Sequence, residues 1–118
     1  MASGSTESVN GIKDLMQLGG LNILKIIVPG NGTAKIRFPA NTSMHGMFFT
    51  SGATSTKHGL YFYGIASTGT TITLTTIHSA TAFSQSTTNR VMTISNGEAG
   101  QMVVIFFSAT EIIPEIVT

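Results

Sequence analysis

The residues with reactive side chains in this chain are few and scattered. His45, His58 and His78 never form a His-x-His pair. A single His repeated about a three-fold axis is the nearest substitute for a metal site, and a surface or core imidazole is the plainer reading. The carboxylates are Glu7, Asp14, Glu98, Glu111 and Glu115. Glycoside hydrolysis needs two of them facing each other at a set separation. Glu111 and Glu115 flank Pro114, and Glu98 sits in a turn sequence, so they read as solvated charge. Ser67 lies in Gly64-Ile65-Ala66-Ser67-Thr68-Gly69, which has one residue too many before the Ser for a nucleophile elbow. The elbow also needs a strand-turn-helix context, and apolar runs of strand type flank this one. The only aspartate is Asp14, outside the sheet region, so a Ser-His-Asp triad has no third member there.

Gly30-Asn31-Gly32 follows an apolar run but lacks the third glycine of a dinucleotide loop, because Lys35 stands in its place. It reads as a turn. So do Asn31-Gly32-Thr33 and Asn41-Thr42-Ser43, although both match the glycosylation acceptor pattern. With no Cys there is no thiolate nucleophile, zinc-thiolate site or disulfide scaffold. The expectation is a non-enzymatic chain with no catalytic residue, metal or cofactor.

Binding is the remaining chemistry, and it belongs on loops. Residues 51–59 (SGATSTKHG) carry Lys57 and His58. Residues 79–89 (SATAFSQSTTN) are the longest polar stretch and hold Phe83 and Gln85. An aromatic in such a loop either stacks on a sugar or grips a receptor, or it pins the loop to the core. Lys57, His58, Phe83 and Gln85 are the candidate receptor contacts. Tyr61 and Tyr63 share one face of the next run and serve either as a subunit interface or as packing.

These loops must be positioned by strands. Residues 33–38 (TAKIRF) place Ala34, Ile36 and Phe38 on one face and Thr33, Lys35 and Arg37 on the other. With residues 21–28 (LNILKIIV) and the turn Pro29-Gly30-Asn31-Gly32 between them, they read as a hairpin. Further strands are expected over 44–50, 60–66, 70–77, 90–95 and 101–108, with a short eighth over 111–117. Pro114 lacks an N–H and confines that last segment to an edge. Strands at this spacing, with Gly, Asn and Pro between them, make an antiparallel β-sandwich, jelly-roll-like, of about eight strands. Ahead of it, Ile12, Leu15, Met16 and Gly19 fall on one helical face, and Gly19-Gly20 ends the pattern. Residues 1–20 are thus expected as a flexible lead and a short helix, and 21–118 as the sandwich domain.

Composition narrows the partners. The chain of 118 residues has a net charge of +1 and only 9% charged residues, against about 25% in ordinary soluble domains. That leaves no electrostatic footprint for nucleic acid. No apolar run nears the roughly 20 residues of a membrane-crossing helix, and residues 1–10 are too polar for a secretory signal. Residues 21–28, 60–66 and 101–108 are apolar on both faces, and such strands must be covered on both. A two-layer sandwich covers only inner faces, so a neighbouring subunit is expected outside. A trimer is the preferred arrangement, with the helix bearing Ile12, Leu15 and Met16 as its neck.

The runs SGATSTKHGLYFYGIASTG, TTITLTTI and ISNGEAGQMVVIFF resemble the small β-rich appendage modules of tailed bacteriophages, such as receptor-binding head domains and tail-fibre tips. The resemblance spans about residues 21–117. His58-Gly59-Leu60-Tyr61-Phe62-Tyr63 is also similar to the Gly-x-Tyr strand of trimeric jelly rolls of the tumour-necrosis-factor and complement type. Those enter by a secretory route, for which this chain shows no signal. The phage resemblance implies a homotrimer in the virion, made in the host cytoplasm, that binds a bacterial surface glycan or protein without enzymatic activity. The alternative is a structural phage part, a capsid decoration or tail connector without a receptor. A small hydrolase is a third reading, and it lacks a convergent set of side chains. No family site motif is matched, so no site residue carries over.

Overall fold

The computed structural model describes residues 15–18, 21–108 and 115–117. Ten strands run in chain order: β1 (Leu15–Leu18), β2 (Leu21–Val28), β3 (Thr33–Arg37), β4 (Met44–Ser51), β5 (Gly59–Ile65), β6 (Thr73–His78), β7 (Phe83–Thr88), β8 (Val91–Asn96), β9 (Met102–Ser108) and β10 (Glu115–Val117). A single 3-10 turn, Ser55–Lys57, interrupts the loop before β5. The strands form two antiparallel sheets. One has six strands in the order β1-β2-β9-β4-β5-β6, the other four in the order β10-β3-β8-β7.

The sheets stack through one apolar core, a sandwich-like arrangement. The larger sheet sends in Leu24, Ile26, Val28, Phe48, Tyr61, Tyr63, Met102, Val104 and Phe106. The smaller one answers with Ile36, Met92 and Ile94, and Phe38 follows from the end of β3. Phe48 lies at the centre. Its ring stacks on Phe106 at 4.7 Å and on Tyr61 at 5.0 Å between centroids. The period-two alternation of these strands is what aims every second side chain at this layer.

Three expectations are corrected. Residues 15–18 form an edge strand, not part of a helix, with Leu15 opposite Leu24 and Leu18 opposite Leu21. A helix of two turns is marginal alone, whereas β2 offers a free edge that satisfies the backbone. Ile12 and Gly19 lie outside the described residues. Second, residues 21–28 and 33–38 are not a hairpin. β2 pairs with β1 and β9, and β3 with β8 and β10, in opposite sheets. β2 is apolar on both faces and takes an interior place, while β3 has a polar face and goes to the other layer. The turn at Pro29–Gly32 (Gly32 N–H to Pro29 O, 3.0 Å, with Asn31 at φ 52°) carries the chain across. Third, residues 83–88 of the expected loop 79–89 form β7. The hairpin β7–β8 turns on Asn89 and Arg90, at φ 51° and 68°. As expected, Glu115–Val117 is an edge strand, laid along Lys35–Arg37 of β3.

Candidate interaction surface

The two sheets turn unlike faces outward. On the smaller sheet the outward row positions hold Thr33, Ser95 and Ser84, then Lys35, Thr93 and Ser86, then Arg37, Val91 and Thr88. This surface is hydroxyl-rich and basic, and Glu115 on β10 lies 3.8 Å from Arg37. On the larger sheet the outward rows are apolar. Ile23, Phe107, Met47 and Phe62 stand in line across β2, β9, β4 and β5. Lys25, Ile105, Phe49 and Leu60 form the next row, and Ile27 with Val103 begins a third. Met16 of β1 holds the register position opposite Ile23. Ile27, Phe49 and Phe62 are 48%, 40% and 47% exposed. The Phe49 and Phe107 rings meet edge to face at 5.7 Å. Lys25 is the only full charge within these rows.

At about 4.8 Å between strands and 3.4 Å per residue, four strands by five residues give a plane of roughly 300 Å², more once side-chain relief is counted. A contiguous apolar patch of that size is comparable to the largest patch on a typical monomer, and such patches are often functional.

The loops sort to the two ends of the sandwich. At one end the turn at Pro29–Gly32 meets residues 97–101. Asn96, 2% exposed, binds it through Nδ2, to Pro29 O at 3.2 Å and Gly100 O at 2.9 Å. Residues 52–58 join this end, and Lys57 is buried within it. Its Nζ donates to Ala99 O at 2.7 Å, and its carbonyl accepts from Thr50 Oγ1 at 2.7 Å. Residues 79–82 lie against the same loop, with Ala82 N–H on Thr56 O at 3.0 Å. Thr56 Oγ1 in turn donates to Glu98 Oε1 at 2.6 Å. At the opposite end Arg90, 8% exposed, gathers two loops. Its guanidinium donates to the carbonyls of Phe38, Thr42, Ala66 and Gly69.

The sequence candidates fall into this frame as follows. His58 is exposed, with Nε2 3.1 Å from Gly52 O. Lys57 is a correction: it is an internal strut of its loop, not a surface contact, because burial and the Ala99 carbonyl fix its ammonium. Phe83 is half-buried and packs 4.7 Å from Tyr61 and 5.6 Å from Phe48, so of its two readings the structure has the one that pins the strand to the core. Gln85, half-buried on β7, accepts from Thr87 at 3.1 Å. Tyr61 and Tyr63 are core residues, each 3% exposed, and not an interface patch. Tyr61 Oη accepts from Ala80 N–H at 2.9 Å. Burial raises Tyr63 to a pKa of about 12, opposed by its hydrogen bond with Ser108. Leu15 and Met16 lie on β1, so they form no helical neck. The loops around His58 and residues 79–82 are thus adjacent, while Gln85 stands apart on its strand.

Sequence reasoning missed Arg90 and Asn96, whose value lies in which loops surround them. It marked the doubly apolar strands but not Phe49, Phe62 and Phe107 as one surface. Alternation along a strand gives a residue's face, and only the ladder gives its neighbours.

Among the described residues no three His, Cys, Asp or Glu side chains group as a metal site, and no helix is long and apolar enough to cross a membrane. No family model, curated protein or solved structure matches the chain.

Proposed function

We propose that the chain is a non-enzymatic, virion-associated module of the tailed-phage kind that acts as a homotrimer and binds a host surface or saccharide. The observation that carries this reading is the apolar outer face of the larger sheet. Water-exposed Ile27, Phe49 and Phe62 lose free energy at about 25 cal/mol per Å² buried, and three copies of the chain about a common axis turn these faces toward one another. Self-association covers the face without requiring any other partner. The polar outer face of the smaller sheet then stays in water.

Ligand binding is assigned to a surface this assembly leaves free, the end with His58 and residues 79–82. We read the fold as jelly-roll-like. The nested pairing of β2 with β9 and β3 with β8 supports that reading, while β4 and β5 pair as neighbours within one sheet. A structural role as capsid decoration or tail connector uses the same apolar face and dispenses with the receptor.

Light scattering on the purified protein tests the assembly. Three chain masses are expected, and a monomer at micromolar concentration overturns it. A pull-down on host cells together with a glycan array separates adhesin from structural part. Binding to neither leaves the connector role.

A further inference from the structure

The end of the sandwich that carries His58 also carries a carboxylate that is held in place. Glu98 sits in the turn between β8 and β9, and its main chain is pinned on both sides. Its N–H donates to Asn96 Oδ1 at 3.1 Å, and its carbonyl accepts from Asn31 N–H at 2.9 Å. The side chain is pinned as well, because Oε1 accepts from Thr56 Oγ1 at 2.6 Å. Thr56 is anchored in turn by residues 81 and 82. Its carbonyl accepts from Ala82 N–H at 3.0 Å and from Thr81 Oγ1 at 3.4 Å. A surface glutamate ordinarily gives up rotamer freedom when it binds a ligand, and this one has already done so.

The direction of these hydrogen bonds decides what the surface offers. Thr56 has one hydroxyl proton and gives it to Glu98. The 2.8 Å contact between Thr54 Oγ1 and Thr56 Oγ1 is therefore donated by Thr54. What remains is a short row of acceptors. Glu98 Oε2 has no partner among the described residues, and the exposed Thr54 keeps its lone pairs. No cation stands beside them in the loops of this end. Lys57 is the only Lys or Arg within residues 29–32, 52–58, 79–82 and 97–101, and its buried ammonium is committed to Ala99 O.

We propose that this row binds a neutral sugar through two adjacent hydroxyls, with the Glu98 carboxylate accepting from both. A vicinal diol presents two O–H donors on neighbouring carbons, and a fixed carboxylate takes them in bidentate fashion. Thr54 Oγ1, one hydroxyl removed from that carboxylate, accepts from a further hydroxyl of the same ring. An acidic sugar brings a second negative charge to Glu98 and meets no cation to offset it. An ammonium ligand meets a single surface carboxylate, a contact worth little in salt. The assignment rests on the saccharide-binding reading above and narrows it to a ligand class, a residue and a place.

The probes are galactose, mannose, galacturonate and methylammonium, titrated into the full-length labelled protein and followed by amide shifts. Galactose and mannose are expected to shift residues 54–56 and 97–98, with little dependence on salt. Galacturonate and methylammonium are expected to bind at least about threefold more weakly. Glu98→Gln removes the charge and one acceptor oxygen, and is expected to weaken sugar binding about tenfold. Thr56→Val leaves the carboxylate present but unheld, and a loss of about threefold is expected, whereas Thr56→Ser keeps the hydroxyl and binds as the parent does. The main-chain bonds from Asn31 and Ala82 involve neither side chain, so the loops keep their place, and unchanged core amides confirm it. Where Glu98→Gln disturbs the turn, equal binding by Thr56→Val and Thr56→Ser overturns the proposal. So does galacturonate or methylammonium binding as tightly as galactose, or galactose binding unmoved by Glu98→Gln. If both sugars leave residues 54–56 and 97–98 unshifted, the site is overturned, and the glycan array then decides the broader reading by itself.

Discussion

Arg90 shows how one side chain sets the shape of an end of the molecule. Its backbone occupies the left-handed region at φ 68°, where a side chain other than glycine costs about 1 kcal/mol. The guanidinium offsets this by holding the carbonyls of four residues from two loops, 38–43 and 66–72. Arg90→Ala removes the donor from these buried and part-buried acceptors and is expected to lower stability by about 3 kcal/mol in urea unfolding. Arg90→Lys restores the charge but not the planar fork, and little recovery is expected. Tyr63 is informative in another way. Its phenol is raised to about 12 in the fold and returns to about 10 when the chain unfolds. The fold therefore holds the proton more tightly, so this contribution is whole below pH 10 and is lost as pH climbs toward 12. The loss amounts to about 2–3 kcal/mol. Unfolding midpoints measured from pH 9 to 12 should fall, and Tyr63→Phe should flatten that slope.

At the scale of elements, the larger sheet depends on close approach between β4 and β9. A Cβ added at Gly46 meets the Phe107 carbonyl oxygen at 2.0 Å. Gly46→Ala forces the two strands apart and is expected to cost about 2–3 kcal/mol, read as a lower thermal midpoint with loss of the cross-strand amide contacts. Strand identity was largely legible in the sequence: residues 33–38, 44–50, 60–66, 90–95 and 101–108 announce themselves by alternation or by apolar runs. Partnership was not. PGNG between two apolar runs carries the signal of a hairpin, yet here it bridges two sheets. What decides this is the competition of β9 for the edge of β2, some seventy residues away and invisible to any local window. The strand over 83–88 was hidden for a related reason. Its outward positions are Ser84, Ser86 and Thr88, and its turn is Asn89-Arg90 where Asn-Gly is the usual signal. Of the candidate site, the apolar outer face was legible as a property of whole strands. That Phe49, Phe62 and Phe107 stand together on it was not, since they lie on three different strands.

The whole molecule is polarised: a basic, hydroxyl-rich outer face on one layer and an apolar one on the other. This polarity accounts for the low charge content better than a uniformly polar surface does. Placing charge at the middle of the apolar face should separate assembly from folding. Met47→Glu combined with Phe62→Glu is expected to yield a folded monomer, with circular dichroism unchanged and scattering mass reduced to one chain. A variant that still assembles shows that the face is not the contact.

The pairing of β2 with β9 has a consequence for how the chain is made. The register from Asn22 opposite Ser108 to Val28 opposite Met102 joins segments roughly eighty residues apart, and such distant pairings slow folding. On the ribosome, β2 emerges roughly eighty residues ahead of its interior neighbour β9. During that interval a strand apolar on both sides is exposed, at the concentrations of a crowded cell. Production is thus a race between pairing of β9 with β2 in the larger sheet and capture of β2 by another nascent chain. Slower translation at low temperature should raise the soluble yield.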